Sequence, residues 1–348
     1  MTNSGEPLLQ VEHLRIEVPS RRGTLVAVDD ISFSIMPGEV LGVVGESGAG
    51  KSLTGAAIIG LLEPPLRIAA GQIRFAGRRI DNLPYEAMRR IRGKEIGAIF
   101  QDPLTSLNPL YTIGQQLIET IRTHLDLAAA AARQRALALL HEVGIAAAAE
   151  RLDHYPHQFS GGMRQRVVIA LALAANPRLV IADEPTTALD VSIQAQIIAL
   201  LKRLCRDHGT AIMLVTHDMG VIAETADRVA VMYAGRIVEI GPVATIVAAP
   251  HHPYTVGLMQ SIPRIGGPGS QRGARLRQIE GTMPRLNEIP PGCPFNPRCP
   301  EVFERCRHAR PDLLPARGSE AACWLYDAPK PSQTVMAGRD PAISGQPA

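Results

Sequence analysis

The sequence predicts an α/β fold in which a mostly parallel sheet surrounds a phosphate-binding loop. A glycine-rich stretch at residues 45–52 lies between an apolar predicted strand and a predicted helix. Two more apolar stretches, residues 179–182 and 211–215, each run into polar residues. Continuous apolar runs of this length are typical of parallel strands buried on both faces, and ligands bind at the carboxyl ends of such strands.

The glycine-rich stretch fits the phosphate-loop pattern G-x-x-x-x-G-K-[ST]. Its glycines let successive N–H groups turn inward on a phosphate chain, its lysine supplies a point charge, and its last hydroxyl is a natural Mg²⁺ ligand. A predicted strand at residues 39–44 enters the stretch, and a predicted helix over 53–62 aims its N-terminus at the anion. A chance glycine-rich turn would lack this context. The stretch therefore indicates a nucleotide site formed by Gly45, Glu46, Ser47, Gly48, Ala49, Gly50, Lys51 and Ser52.

Composition limits the remaining possibilities. The 348 residues suggest about two domains, and 46% hydrophobic residues are enough for a substantial core. A net charge of +3, from 36 basic and 33 acidic residues, gives no general attraction to nucleic acid or anionic lipid. The first residues lack a signal-peptide pattern, and no apolar run is long enough to span a bilayer. We expect a soluble cytoplasmic chain whose five cysteines are reduced.

Predicted elements follow one another along the first half of the chain. Strands are expected at residues 8–18, 31–35 and 72–75, the last of them antiparallel, and a short apolar run at 95–100 precedes Gln101. From residue 104 to about 151 the helical period dominates, with helices at 115–123 and 133–143 and Gly144 as a stop. We interpret this stretch as a helical subdomain inserted between two halves of the nucleotide core.

A second anion site is predicted at Ser160, Gly161, Gly162 and Met163. The serine occupies an N-cap position before a helix that runs to Pro177. A purely structural helix cap would explain this serine but not the two glycines that follow it. The two glycines lower helix stability and favour close backbone approach, as at an anion-binding helix start.

Polar side chains at predicted strand ends are the candidate Mg²⁺-binding and catalytic residues. Asp183 follows a buried strand and can hold Mg²⁺ directly or through water, while the adjacent Glu184 is placed to act as general base on an attacking water. His217 follows the next buried strand; a lone histidine there is usually structural. Because Gln101, Glu184, His217 and the phosphate loop all follow strand ends, we expect them at one ligand site.

The motif set resembles the ATP-binding subunits of ABC transporters over about residues 8–260. The motifs occur in that family's order: the phosphate loop, Gln101, the signature Ser160-Gly161-Gly162-Met163, Asp183-Glu184, Ala188-Leu189-Asp190 and His217. Residues 105–109, the Ser-Gly-Gly-Met variant, His252-Pro253-Tyr254-Thr255 and the cysteine-bearing tail resemble the oligopeptide/dipeptide importers.

The resemblance implies a P-loop NTPase fold, the ABC ATPase core, with an antiparallel β-subdomain. It divides the chain into an ATP-binding domain at residues 1–260, with the helical subdomain at about 104–175, and a small cysteine-bearing C-terminal domain at 261–327. Residues 328–348, rich in Pro and Ser, are expected to be a disordered tail.

Site roles are also implied by the resemblance. ATP would bind residues 45–52 and Gln101, with Mg²⁺ held by Ser52, Gln101 and Asp183, and with Glu184, His217 and Gln101 as catalytic residues. Ser160, Gly161, Gly162 and Met163 would act on ATP bound to a partner, and Asp190 would belong to the D-loop. The sequence departs from the family pattern at the adenine contact. The family generally stacks adenine on an aromatic residue before the phosphate loop, but no aromatic residue lies between Arg15 and Phe33 here. Leu25 or Val26 would supply an apolar contact instead.

Partners are implied as well. They are a second ABC ATPase subunit, expected to be a different chain, two membrane permease subunits and an extracytoplasmic solute-binding protein, with this chain peripheral on the cytoplasmic face of the inner membrane. Import of dipeptides or oligopeptides is the main interpretation. Import of nickel chelates, glutathione or antimicrobial peptides is the alternative. A soluble ABC ATPase acting on nucleic acid or ribosomes is disfavoured, because only one cassette and no basic surface are visible.

Four cysteines, Cys293, Cys299, Cys306 and Cys323, fall within 31 residues of a Pro-rich stretch with little apolar content. Reduced thiols clustered in this way suggest that a bound metal ion or metal cluster, rather than disulfides, cross-links the stretch. Gaps of five, six and sixteen residues do not match the close ligand pairs of structural zinc sites. Importer ATPases resembling this chain can carry a [4Fe–4S] cluster on such cysteines, so a cluster is expected, with Zn²⁺ as the alternative. Cys205, far away on a predicted helix, is expected to be a small buried hydrophobe.

Overall fold

A computed structural model describes residues 5–20, 23–187, 189–262 and 278–327. Its strands form two sheets, one of four strands and one of eight. The strands are β1 (Leu9–Ser20), β2 (Gly23–Ile35), β3 (Val40–Val44), β4 (Arg67–Phe75), β5 (Arg78–Arg79), β6 (Ile96–Ile99), β7 (Leu179–Asp183), β8 (Ala211–Thr216), β9 (Arg228–Tyr233), β10 (Arg236–Pro242), β11 (Leu314–Ala316) and β12 (Ser319–Ala321).

Helices cover both the core and an insertion between β6 and β7. They are α1 (Lys51–Ile58), α2 (Tyr85–Ile91), α3 (Pro103–Ser106), α4 (Ile113–His124), α5 (Ala129–Glu142), α6 (Ala148–Arg151), α7 (Gly161–Ala172), α8 (Val191–His208), α9 (Met219–Thr225), α10 (Val243–Ala248), α11 (Pro253–Gln260) and α12 (Glu304–His308). Among the helices that the structure describes, none has the length and apolar content needed to cross a bilayer.

The large sheet has the strand order β11-β12-β10-β9-β3-β8-β7-β6. Pairing is parallel from β9 through β3, β8 and β7 to β6, and antiparallel on the other side of β9. Every residue of β3 and β8 is buried, as expected for strands covered on both faces. One apolar cluster fills the space between this sheet and the small antiparallel sheet β2-β1-β4-β5, and a second extends into the inserted helices.

The predicted strands and helices are confirmed in type, and the differences lie mainly at their ends. β2 begins at Gly23 rather than near residue 31, because it continues as a long hairpin against β1. α1 ends at Ile58 rather than near residue 62, since Gly60 adopts a left-handed φ of 64° that stops the helix. In the insertion, α4 has a capping box between Thr112 and Gln115.

The cysteine-bearing stretch joins the main sheet. β12 pairs with β10, with Glu239 opposite Ala321 and Ile240 opposite Glu320, and β11 pairs with β12. This hairpin was not predicted. The predicted tail at 328–348 and residues 263–277 of the predicted C-terminal domain lie outside the described residues. The proposed division at residues 260 and 327 stays a prediction.

A buried carboxylate ties β10 to the chain that follows it. Glu239 is fully buried and accepts hydrogen bonds from the backbone N–H groups of His251 (2.9 Å) and His252 (3.0 Å). The Ser319 hydroxyl, at the start of β12, lies 3.5 Å from the same carboxylate. Glu239 therefore satisfies buried groups from the segment that leads into α11.

Replacing Glu239 by Ala should destabilise the fold. Two buried N–H groups would lose their acceptor, which costs about 2–4 kcal/mol in the free energy of unfolding. Urea unfolding of Glu239→Ala and of Glu320→Ala, an exposed glutamate on neighbouring β12, provides the comparison. We expect a clear loss for the first and little change for the second; equal unfolding midpoints would contradict the role given to Glu239.

Candidate active site

The phosphate loop connects β3 to α1, as the sequence predicts. Gly45 leaves no room for a side chain, because a Cβ there would lie 2.2 Å from the Met232 carbonyl oxygen of β9. Gly50 occupies the N-cap of α1 with a left-handed φ of 98°, a conformation that favours glycine. The tight turn therefore points the start of α1 at the space above the loop, where a phosphate chain is stabilised.

Lys51 lies inside this loop rather than on its surface. Its ammonium group donates to the carbonyl oxygens of Gly45 (2.8 Å) and Glu46 (3.0 Å), and the residue is 5% exposed. Burial lowers the pKa of Lys51, while the nearby carboxylates of Glu184, Asp183 and Glu46 oppose that shift. The lysine is thus a fixed, partly desolvated charge beside the loop backbone, suited to bind phosphate oxygens.

A cleft of about 660 Å³ opens over the loop. This volume suits a nucleotide-sized ligand. Besides residues 45–53, the cleft is lined by Gln101, Glu184, His217 and Leu258. The structure therefore brings together the loop and three of the four side chains predicted at strand ends, and Asp183 contacts the loop directly.

Ser52 and Asp183 form an oxygen pair at the start of α1. The Ser52 hydroxyl donates to the Asp183 carboxylate at 3.0 Å. Burial raises the pKa of Asp183, and the Ser52 hydrogen bond and the Lys51 charge partly reverse this effect. A hydroxyl beside a carboxylate fits Mg²⁺, which takes oxygen ligands and usually few from the protein.

Glu184 is held in an unusual backbone conformation with a φ of 45°, and its N–H donates to the Val215 carbonyl oxygen of β8 at 2.9 Å. Its carboxylate accepts hydrogen bonds from Gln101 (3.1 Å) and Thr187 (2.7 Å), and His217 Nδ1 lies 3.4 Å away. Burial would raise the pKa of Glu184, but the hydrogen bonds from Thr187 and His217 and the Lys51 charge lower it. The group is therefore held in its basic form.

The second predicted anion site lies apart from this cleft. Ser160 is the N-cap of α7 and accepts from the Met163 N–H at 3.4 Å. Ser160 and Gly161 are exposed, and a Cβ on Gly162 would lie 2.9 Å from the Ile193 side chain of α8. Asp190 is exposed at the N-cap of α8. None of the signature residues lines the cleft over this chain's own loop.

Several residues that belong to the site were not predicted from the sequence. Thr187 hydrogen bonds Glu184, Leu258 of α11 lines the cleft, and Tyr254 and Arg298 bind Glu46. Thr187, three residues after the predicted base, and Tyr254, within the importer-like stretch at residues 252–255, carried a local signal. Leu25 and Val26, the suggested adenine contacts, are half-buried in β2 and do not line this cleft.

The four clustered cysteines line one small pocket together with Phe295, Trp324 and His252. All five cysteines of the chain are free thiols, and Cys205 is buried on α8 as predicted. Burial raises the pKa of Cys293 to about 11 and that of Cys299 to about 12. Within residues 5–20, 23–187, 189–262 and 278–327, no three His, Cys, Asp or Glu side chains lie close enough to hold a metal ion together.

The loop, the carboxylates beyond β7 and the exposed glycine-rich start of α7 define an ATP-binding cassette protein. Residues 28–187 match the family model for ABC transporters, and residues 238–306 match that for the C-terminal region of oligopeptide/dipeptide transporters. The dipeptide transport ATP-binding protein DppD of Bacillus subtilis is 48% identical over 324 residues, covering 92% of this chain and 96% of that protein. The oligopeptide transport ATP-binding protein OppD of Salmonella typhimurium is 46% identical over 317 residues, covering 91% and 93%.

Solved structures agree. A dimeric ATP-binding cassette bound to ADP and phosphate has a TM-score of 0.61 at 27% identity, covering 68% of this chain and 98% of that one. The cbiO1 protein of Clostridium perfringens, part of an ABC transporter complex, has a TM-score of 0.62 at 29% identity, covering 73% and 96%. The chain therefore belongs to the ABC transporter family, in the oligopeptide/dipeptide branch, and it is an ATPase. The predicted resemblance and fold class are confirmed.

Removing the Thr187 hydroxyl should shift the pH dependence of ATP hydrolysis. Thr187→Val deletes a hydrogen bond that lowers the pKa of Glu184, so that pKa rises. Because a general base works only when deprotonated, the acidic limb of the pH–rate profile should move to higher pH, while the rate at alkaline pH changes little. Thr187→Ser keeps the donor and should keep the parent profile. An unshifted profile for Thr187→Val would show that this contact does not tune the base.

Proposed function

We propose that this chain hydrolyses ATP to power the import of dipeptides or oligopeptides across the cytoplasmic membrane. The observation that carries the proposal is the combination of a complete nucleotide cleft with a C-terminal region matching those of oligopeptide/dipeptide transporters. Curated relatives close to half identical in sequence bear dipeptide and oligopeptide transport names.

The geometry supports a separate role for each site residue in ATP hydrolysis. Lys51 and the loop N–H groups would hold the β- and γ-phosphates, and the oxygens of Ser52 and Asp183, together with Gln101, would hold Mg²⁺. Bound Mg²⁺ would neutralise charge on the phosphate oxygens. Glu184, kept ionised by its hydrogen bonds, would orient and deprotonate the attacking water, and His217 at the cleft wall would face the γ-phosphate.

A composite site with a second subunit completes the proposal. Ser160 and Gly161 are exposed, so the start of α7 is free to bind a phosphate held by another cassette. The similar cassette bound to ADP and phosphate is itself dimeric. We infer that the partner is a second ATPase subunit of a different chain, with Asp190 at the interface. Two permease subunits and an extracytoplasmic solute-binding protein would complete an importer, with this chain peripheral on the cytoplasmic face of the inner membrane.

Glu184→Gln tests the base and the composite site together. The variant should bind ATP, lose hydrolysis by a factor on the order of 10²–10⁴, and accumulate an ATP-held pair of cassettes, formed with the partner ATPase or with itself. Size-exclusion chromatography with and without ATP detects the pair. Adding Ser160→Arg should abolish pairing but leave nucleotide binding intact. Cells whose only copy is Glu184→Gln should also lose uptake of labelled dipeptides.

Parent-like hydrolysis by Glu184→Gln would show that another group is the base. Pairing that survives Ser160→Arg would remove the composite site. If those cells take up dipeptides normally but fail to take up a nickel chelate or glutathione, the transported substrate is not a dipeptide but the compound whose uptake is lost.

We further propose that Cys293, Cys299, Cys306 and Cys323 hold a [4Fe–4S] cluster with a structural role. Four thiols that line one pocket, screened by aromatic side chains, fit the donor set of such a cluster. The pocket has about 10 Å³ of free space, so the thiols would have to spread and turn toward a common centre. The bound cluster would cross-link a segment that has little apolar core of its own.

Metal analysis of protein purified without oxygen checks this assignment. A cluster predicts brown protein with roughly four irons and four sulfides per chain. Cys323→Ser should lower both, whereas Cys205→Ser, on the remote helix α8, should leave both unchanged. Colourless protein holding about one zinc per chain would instead support the zinc site.

A further inference from the structure

The cysteine-bearing segment contacts the phosphate loop directly through one ion pair. Arg298 Nη1 lies 3.1 Å from each carboxylate oxygen of Glu46, the second residue of the loop. Arg298 sits between Cys293 and Cys299 in sequence, at the end of a short 3₁₀ turn, Asn296–Arg298. The pair therefore joins two parts of the molecule that are 252 positions apart.

Arg298 is fixed from several sides. Its side chain is 8% exposed, and its other N–H groups donate to the carbonyl oxygens of Glu280 (2.8 Å) and Gly281 (3.2 Å). The guanidinium also lies over the rings of Tyr233 (5.7 Å) and Phe295 (6.0 Å). A guanidinium held in one orientation loses little freedom on binding a carboxylate, so this pair is stronger than an exposed surface pair.

The same segment of the loop is held by a second group. The Glu46 N–H donates to the hydroxyl of Tyr254, a fully buried residue of α11, at 2.9 Å. This N–H is therefore directed at the tyrosine rather than at the cleft. Both the backbone and the side chain of Glu46 are thus bound by residues from the C-terminal part of the chain.

An aromatic cluster connects these contacts to the cysteine pocket. Tyr254 packs on Tyr233 (4.7 Å between ring centroids) and on Phe295 (5.4 Å). Phe295 also contacts His252 (5.8 Å). Phe295 and His252 line the pocket formed by the four cysteines. Packed groups therefore run without interruption from the cysteines to the phosphate loop.

We propose that Arg298 is a positioning residue for ATP binding, and that through it the state of the cysteine pocket sets the nucleotide affinity of the chain. Arg298 neutralises a carboxylate that would otherwise repel phosphate at the loop, and it fixes the loop's first turn. Loosening the cysteine segment releases Arg298, frees Glu46 and weakens nucleotide binding. The inference rests on the proposed nucleotide site but not on whether the cysteines hold a metal or cluster.

Calorimetric titration of the full chain with ADP and with a non-hydrolysable ATP analogue tests the first step. Arg298→Met should weaken both by on the order of tenfold, and Arg298→Lys, which keeps the charge, should weaken them less. Adding Glu46→Gln to Arg298→Met should restore most of the affinity, because the repelling carboxylate is then gone. A purely structural arginine would not be rescued in this way.

Arg307→Met is the matched control. Arg307 belongs to the same segment and is exposed on α12. We expect parent-like affinity for this variant. Thermal unfolding of each variant shows whether it is folded at the titration temperature.

The second step is tested by a double-mutant cycle with the cysteine pocket. Cys323→Ser should weaken nucleotide binding in the parent chain and have no further effect in Arg298→Met, since the connection is already cut. By reciprocity, bound nucleotide should slow the reaction of the pocket cysteines with a thiol reagent in the parent but not in Arg298→Met.

The outcomes separate this inference from the proposed function. A parent chain that does not bind nucleotide would overturn the proposed function. A parent that binds, with Arg298→Met binding equally well, would overturn the positioning role alone. Fully additive effects of Cys323→Ser and Arg298→Met would keep that role and overturn the coupling to the cysteines.

Discussion

Parallel pairing of four neighbouring strands is the constraint on which the active site depends. β6 pairs with β7, β7 with β8 and β8 with β3, so that residues at the ends of these strands arrive at one edge of the sheet. In this register Asp183 lies opposite Val215, and Val44 lies opposite Thr216. Backbone hydrogen bonds in the sheet therefore bring the site side chains together. No direct contact between those side chains is needed to place them.

This explains why so much of the site could be predicted from the sequence. Buried parallel strands appear as apolar runs, and the residue after each run is a candidate for the site, as with Glu184 and His217. The remainder depends on pairing between distant segments. β11 and β12 have three residues each, too few for a periodic pattern, and the Arg298–Glu46 contact joins residues 252 positions apart. Leu258 resembles any other apolar residue of a helix until α11 is placed beside the loop.

The C-terminal part of the chain serves both the fold and the site. Glu239, buried in β10, binds the backbone just before α11 and so fixes where that helix begins. α11 then supplies Leu258 to the cleft and the Tyr254 hydroxyl to the loop. Positions that follow His217 along the chain are therefore in direct contact with the nucleotide site, although none of them carries a recognisable phosphate-binding pattern.

The hairpin β11–β12 has a consequence for the solubility of the chain. β10 is bonded on one side to β9 and on the other to β12, so the hairpin covers backbone groups that would otherwise form an open sheet edge. Open edges of apolar strands pair readily with strands of other molecules and promote aggregation. Every residue of β10 except Pro242 is buried. The short hairpin thus limits the addition of strands from other molecules at Glu239 and Ile240, and a chain cut before residue 314 would leave these two positions of β10 without a partner strand on that side.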